Sequence, residues 1–244
     1  MRVTFLGSGD AFGSGGRFQA CILVEAAGRR LLLDCGASSL IAMKRQPIDP
    51  NSVEAVLVSH LHGDHFGGIP FLVLDAQLVS RRSAPLVLAG PPGLGRRVVD
   101  AMEALFPGSS AAPRRFPLDV VELDAGRPHA LGGLVVTPFE VDHASGAPPF
   151  AYRLEADGKV LAYSGDTAWT DALVAAARGA DLFIAEAYFY EKRVKYHLDF
   201  RTLEAHLAEI GARRIVLTHM SDDMLARAAT LGLECAADGL ALQV

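Results

Sequence analysis

Short apolar runs alternate with longer amphipathic stretches along the chain, and glycine, proline or charged turns separate them. Residues 2–6 (RVTFL) predict a first strand. FQACILVEA (18–26), the turn AGRR and LLLDCG (31–36) predict a hairpin. VEAVLVSH (53–60) reads as a buried strand that ends at His60. IPFLVLDAQLVS (69–80) has the length of a helix, APLVLAG (84–90) of a strand, and GLGRRVVDAMEALF (93–106) the period of a second helix. SSAAPRRFP (109–117) reads as a loop.

A second series follows. LGGLVVTPFEVDH (131–143) and PFAYRLEADGKVLAYSGDT (149–167) predict strands, with Asp157-Gly158 as a hairpin turn. DALVAAARG predicts a helix and ADLFIAEAYF a strand. FRTLEAHLAEIG (200–211) predicts a helix stopped by Gly211. RRIVLTHM predicts a strand that delivers His219, and DDMLARAATLG (222–232) a last helix. Each series runs from strands into alternating strands and helices. That predicts an α/β architecture, two sheets packed on each other with helices outside. We read residues 1–244 as one domain.

Composition narrows the options. The chain is 50% hydrophobic and 21% charged, the balance of an ordinary globular protein. Its net charge of -5 gives no global basic field for nucleic acid. No apolar run approaches the roughly 18 residues of a membrane span, and the start has no signal-peptide pattern. Cys21, Cys35 and Cys235 form no CxxC and sit among apolar residues, as buried free thiols would. A cytoplasmic location follows as the expectation.

The candidate chemistry lies in SHLHGDHFGG (59–68). His60, His62, Asp64 and His65 fall within six residues of a chain with only eight histidines, so a packing origin is a poor explanation. Imidazole and carboxylate are the usual ligands of zinc and related divalent metals. His60 and His62 share a side of an extended backbone. Gly63 is expected to turn the chain sharply before Asp64 and His65, so the segment can offer two ligands to one ion and two to a neighbour. The remaining ligands must come from afar. His143, Asp166 and His219 each follow an apolar strand.

In order, LLLDCG, SHLHGDHFGG, VDH, YSGDT and LTHMS resemble the motifs of the metallo-β-lactamase superfamily of dinuclear metallohydrolases, across nearly the whole chain. The resemblance implies a four-layer αββα sandwich with the metal site at one rim of the two sheets. It implies that His60, His62 and His143 bind one metal, that Asp64, His65 and His219 bind the second, and that Asp166 bridges them. Asp34 would orient the ligand loop. Two divalent ions follow, with zinc first and manganese or iron also suited to the donor set.

The segment IAEAYFYEKRVKYHLDF resembles the ribonuclease Z branch and its small phosphodiesterase relatives. It implies His197 as general acid and Glu186 as its orienting partner, which join Asp64 as catalytic residues. Leu198 and Asp199 stand where the branch typically has a hydroxyl residue. Asp199 then either holds the imidazole or, as we favour, caps the helix near Arg201.

The tRNA-maturing members carry a long arm between the ligand histidine and the bridging aspartate. Here 22 residues separate His143 from Asp166, enough for one hairpin. The expected substrate is therefore a small phosphodiester, without tight nucleic-acid binding or membrane association. Alternatives are a carbonyl hydrolase of lactonase or thioesterase type, or a ribonuclease Z-like RNA endonuclease. GSGDAFGSGG (7–16) fails the GxGxxG pattern of a phosphate loop; as a tight glycine turn beside the metal rim it could still shape the substrate pocket. His129 and His206 read as surface residues. A homodimer is the expectation from base rates and family habit.

Overall fold

Alternation within β-strands sorts the apolar side chains into three buried layers. A computed structural model describes all residues, 1–244. The first sheet contains β1 (Arg2–Gly7), β2 (Cys21–Ala26), β3 (Arg29–Leu33), β4 (Ala55–Leu57), β5 (Leu86–Gly90) and β6 (Leu118–Glu122) in chain order. The second contains β7 (His129–Leu131), β8 (Leu134–Glu140), β9 (Phe150–Ala156), β10 (Lys159–Tyr163), β11 (Leu182–Glu186), β12 (Ile215–Thr218) and β13 (Glu234–Cys235). The last strand, β14 (Ala241–Gln243), returns to the first sheet and pairs antiparallel with β1.

The sheets repeat one plan. β1 to β3 pair antiparallel, and β3 to β6 continue in parallel. β7 to β10 pair antiparallel, and β10 to β13 continue in parallel. Both tight hairpins use left-handed turn pairs: Ala27 and Gly28 have φ of 51° and 70°, Asp157 and Gly158 have 54° and 68°. Their twist matches that of the flanking strands.

Leu31 and Leu33 of β3 face the second sheet and pack with Tyr152, Leu161 and Ile184. Leu32, between them, faces the other way onto the helices. Burying one such side chain contributes about 1.5–3 kcal/mol. The helices on the first sheet are α1 (Ser39–Arg45), α2 (Gly63–Phe66), α3 (Ile69–Leu78) and α4 (Leu94–Leu105). On the second sheet lie α5 (Asp171–Ala177), α6 (Phe200–Ala205), α7 (Leu207–Ile210) and α8 (Asp222–Leu225). Their core joins Leu173, Ala176, Leu203 and Ile210 to Phe183 and Leu217. The result is the αββα layering expected from the sequence. No helix is long and apolar enough to cross a membrane.

Several boundaries differ from the expectation. The helix at 200–210 breaks at His206, which lies half-buried at the surface with its ring stacked on Trp169 at 3.8 Å. Gly211 ends α7 at φ 62°, as expected. The last helix lasts one turn and then gives way to a short 3-10 turn at Ala228–Thr230. Met224 is its only buried residue, so the segment has no apolar face to hold a longer helix. The strand expected to reach His60 stops at Leu57. α1, β6, β7, β13 and β14 add to the elements expected.

What positions the site is the common direction of the parallel strands. Asp34 follows β3, the ligand segment follows β4, Asp166 follows β10, Glu186 ends β11 and His219 follows β12. In open α/β sheets such carboxyl ends meet along one rim, where ligands bind.

Candidate metal centre

Asp34 organises the rim. It is fully buried and adopts φ 60°, which turns the chain out of β3. Its Oδ1 accepts the Ser59 backbone N–H at 2.7 Å. Its Oδ2 accepts Ser59 Oγ at 2.8 Å, Tyr163 Oη at 2.7 Å and His65 Nδ1 at 2.7 Å. Four donors on one carboxylate lock the end of β3 to the ligand segment and to the end of β10.

Around the segment the backbone leaves no room for a Cβ on Gly36, Gly67 or Gly68. A Cβ on Gly36 would stand 2.2 Å from the Asp64 carbonyl oxygen, and one on Gly68 would stand 2.2 Å from that of Gly36. Gly63 behaves differently from the expectation. It has no positive φ and nothing crowds it, because it simply opens α2. His62 is the extended residue before that helix, with φ -82° and ψ 151°. The change from extended to helical backbone separates His60 and His62 from Asp64 and His65.

Two groups of candidate ligand atoms result. His60, His62 and His143 come together, as do Asp64, His65, Asp166 and His219, each set within 4.8 Å. In the first, His143 Nε2 lies 3.0 Å from His62 Nδ1. In the second, His65 Nε2 is 3.2 Å from both Asp64 Oδ2 and Asp166 Oδ1. His219 Nε2 is 3.2 Å from Asp64 Oδ2 and 3.3 Å from Asp166 Oδ2. Asp166 also reaches toward the first group, with Oδ2 3.9 Å from His60 Nε2. All seven residues named from the sequence therefore converge.

Hydrogen bonds outside the cluster assign the tautomers. His65 Nδ1–H donates to Asp34. His143 Nδ1–H donates to the Tyr196 carbonyl at 2.8 Å, and His60 Nδ1–H donates to Ser59 Oγ at 3.0 Å, since that hydroxyl proton is already given to Asp34. In each ring the Nε2 lone pair is left facing inward. His60 Nε2 and Asp166 Oδ1 are buried with no hydrogen-bond partner. Buried polar atoms are rarely left so. Inward lone pairs, two carboxylates and orphaned atoms fit a divalent cation, and this donor set suits zinc, manganese or iron.

The electrostatics carry the same message. Burial opposes charge on Asp64 and Asp166. The histidines overcome it and hold both carboxyls below the usual range, His65 foremost at Asp64 and His219 and His65 at Asp166. Burial likewise opposes charge on His65 and His219, yet Asp166 with Asp64 and their neighbours push both up, His219 to about 10. His60 is driven down by burial and by His65. The carboxylates thus favour positive charge at this place. A cation at the same place would supply that charge.

Glu186 and His197 border the second group. Glu186 is fully buried; its Oε2 accepts Thr167 N–H at 2.9 Å and Leu198 N–H at 3.3 Å, and its Oε1 accepts His197 Nδ1–H at 2.5 Å. The opposite nitrogen of His197 is free, and 23% of that side chain remains exposed. Asp199 caps α6 through Thr202 N–H at 2.9 Å and Oγ1 at 2.7 Å, so it does not hold the imidazole.

The glycine loop of residues 7–16 runs beside this rim: Ser8 O accepts His219 N–H at 3.2 Å, and Gly15 N–H reaches Asp222 Oδ1 at 2.9 Å. His129 lies elsewhere, accepting Asp124 N–H. Three contributors escaped the sequence reading. Ser59 and Tyr163 hold Asp34, and Tyr188 sets its ring 4.7 Å from that of His197. Only the position of Tyr188, two residues after Glu186, could have flagged it.

The family model for the beta-lactamase superfamily domain matches residues 29–220. The chain belongs to this superfamily. It is 27% identical to ribonuclease Z of Methanosarcina acetivorans, covering 91% of this chain and 88% of the relative. Among solved structures, human tRNase Z, short form, superposes with a TM-score of 0.81 at 24% identity, over 100% of this chain and 99% of that one. A diphosphatase from the PhnP family gives 0.79 at 20% identity, over 100% and 97%. At these identities the solved structures establish the fold, which agrees with the layering described above.

Proposed function

We propose that the chain is a metal-dependent phosphodiesterase acting on small phosphodiesters, with two divalent ions, zinc first, held by His60, His62 and His143 and by Asp64, His65 and His219, and with Asp166 between them. The observation that carries this reading is the Glu186–His197 pair at the border of the ligand cluster. Bound divalent ions would supply a nucleophilic hydroxide at neutral pH and Lewis-acid stabilisation of charge on phosphoryl oxygen.

The chain's own residues do the rest. Asp34 fixes His65, and the Tyr196 carbonyl fixes His143, so the donors face inward before any ion arrives. Glu186 holds the His197 proton on Nδ1 and stabilises the imidazolium. His197 can then give a proton from Nε2 to the leaving alkoxide. Carbonyl substrates have less use for that donor, which is why phosphodiesters are preferred. Buried free thiols at Cys21 and Cys35 agree with a cytoplasmic location.

Small substrates are favoured by the short path from His143 to Asp166, which holds only the β9–β10 hairpin. The alignment with the Methanosarcina ribonuclease Z runs over 273 residues, more than the 244 of this chain, so that relative carries insertions this one lacks. A ribonuclease Z-like activity on RNA is the second reading, favoured by the name of that relative.

The test is hydrolysis of bis(p-nitrophenyl) phosphate by the zinc-loaded protein, with Asp64→Ala as the blank and bound metal counted per chain. Hydrolysis by the wild type alone, with two ions bound, is expected. Inactivity with metal bound would remove the phosphodiester reading. Tight, salt-dependent tRNA binding with cleavage would move the assignment to RNA.

A further inference from the structure

His197 belongs to two places at once. It stands in the cluster with Asp166, Glu186 and His219, and it also lines an open pocket of about 260 Å³. The other walls of that pocket include Trp169, Arg193, Val194, Asp199 and Thr202. We infer that this pocket receives the leaving group of the substrate, and that the group it takes has an apolar or ring-shaped body and carries an anion bound by Arg193. The inference rests on the phosphodiesterase reading and adds a substrate class to it.

Geometry sets which end of the substrate lies here. A proton donor must touch the oxygen that departs. Whatever is attached to that oxygen therefore extends past His197, and the pocket that shares His197 is where it goes. The apolar wall is rigid: the Trp169 indole is stacked on His206 at 3.8 Å and an interplanar angle of 13°. His206 is also the residue at the break between α6 and α7.

The charge comes from Arg193. It is exposed and takes part in none of the chain's ion pairs or side-chain hydrogen bonds, a state it shares with Arg81, Arg97, Arg115 and Arg178, but of these it alone lines the pocket beside His197. A guanidinium presents a planar fork suited to carboxylate or phosphate oxygens. Asp199 lines the same pocket, but its carboxylate is turned to cap α6 through Thr202 and forms no ion pair with Arg193. Lys192 and Lys195 flank Arg193 in the same loop, so the rim beside the proton donor is locally basic on a chain of net charge -5.

The experiment compares two diesters on the metal-loaded protein: bis(p-nitrophenyl) phosphate, and an analogue in which the leaving nitrophenol carries a carboxylate. The wild type is expected to favour the carboxylated leaving group by about tenfold in kcat/KM, chiefly through KM, the effect of one charge-assisted contact. Arg193→Gln is expected to bring the ratio close to one. Lys192→Gln removes the same charge from the same loop, but its ammonium lies over the Phe189 ring and outside the pocket, so the ratio should persist.

A readout independent of turnover is available, because Trp169 is the only tryptophan. The free carboxylated nitrophenol should quench its fluorescence, and Arg193→Gln should raise the Kd. Equal rates on both diesters in the wild type, or a ratio lost as fully in Lys192→Gln as in Arg193→Gln, would overturn the subsite while leaving the phosphodiesterase reading in place. Hydrolysis of neither diester would overturn both.

Discussion

His197 Nδ1 lies 2.5 Å from Oε1 of Glu186, a carboxylate that solvent does not reach at all. The contact fixes which nitrogen carries the inner proton and leaves the outer one to act. General acid catalysis by a positioned side chain contributes typically about 10²–10⁴-fold. His197→Ala should lose activity on that order with alkyl leaving groups and much less with p-nitrophenolate, which needs little protonation. The check is a plot of log kcat against leaving-group pKa for both proteins. A slope equally steep in wild type and variant would exclude the role.

The same contact sets a pH dependence. Burial opposes charge on His197, but the hydrogen bond and charge of Glu186, with help from Asp166 and against His219, raise its pKa above the ordinary 6.5. The protonated form is the donor, so activity is present below the raised pKa and is lost as pH rises through it. Glu186→Gln keeps the shape and removes the charge. Its alkaline limb should lie at lower pH than that of the wild type, with zinc content unchanged. Coincident limbs would mean that some other group titrates.

Much of this site was legible in the chain because metal ligands must be particular residue types at particular strand ends. His60, His62, Asp64, His65, His143, Asp166 and His219 could be named from spacing and resemblance, and they converge. The supports were not legible. Ser59 and Tyr163 meet Asp34 only because β3, β4 and β10 end at one rim, which is a fact of tertiary packing. Gly63 drew attention as a turn residue, yet the crowded glycines around the ligand segment are Gly36 and Gly68, where two backbone segments cross, and Gly67, which lies against the Gly63 carbonyl oxygen. Among the elements, β14 was missed because a three-residue edge strand carries too few positions to show a period. The stacking of His206 on Trp169 joins residues 37 apart in the chain, a tertiary contact that no local period reports.

Asp34 offers a clean separation of charge from conformation. Its φ of 60° is one that asparagine tolerates well. Asp34→Asn should therefore keep the backbone while replacing an acceptor for His65 by a group that also carries donors. Zinc affinity should fall by about 10–100-fold, the usual effect of removing a partner that orients a ligand. Competition against a chelator of known affinity measures it. Since four donors converge on this carboxylate, the metal-free variant should also lose about 1–3 kcal/mol of stability for each donor left unpaired. Unchanged affinity and unfolding midpoint would show that the Asp34 carboxylate does not position His65.

Gly68 tests whether the ligand segment is held by packing as well as by hydrogen bonds. Its φ is not positive, so alanine faces no backbone penalty there. The obstacle is purely steric. An added Cβ would stand 2.2 Å from the Gly36 carbonyl oxygen, 2.9 Å from that of Cys35 and 3.0 Å from the Cys35 sulfur. Two of those three atoms are backbone, so the segment itself must move. Overpacking of this kind costs typically about 1–3 kcal/mol. The movement would also disturb the hydrogen bond from Gly68 N–H to the Cys35 carbonyl oxygen, and with it the bond from Cys35 N–H to that of His65. Gly68→Ala should thus lower the unfolding midpoint and weaken zinc binding together, whereas Gly63→Ala, at an open helical position, should do neither. If the two variants matched the wild type equally, the close crossing of β3 and the ligand segment would have no part in shaping the site.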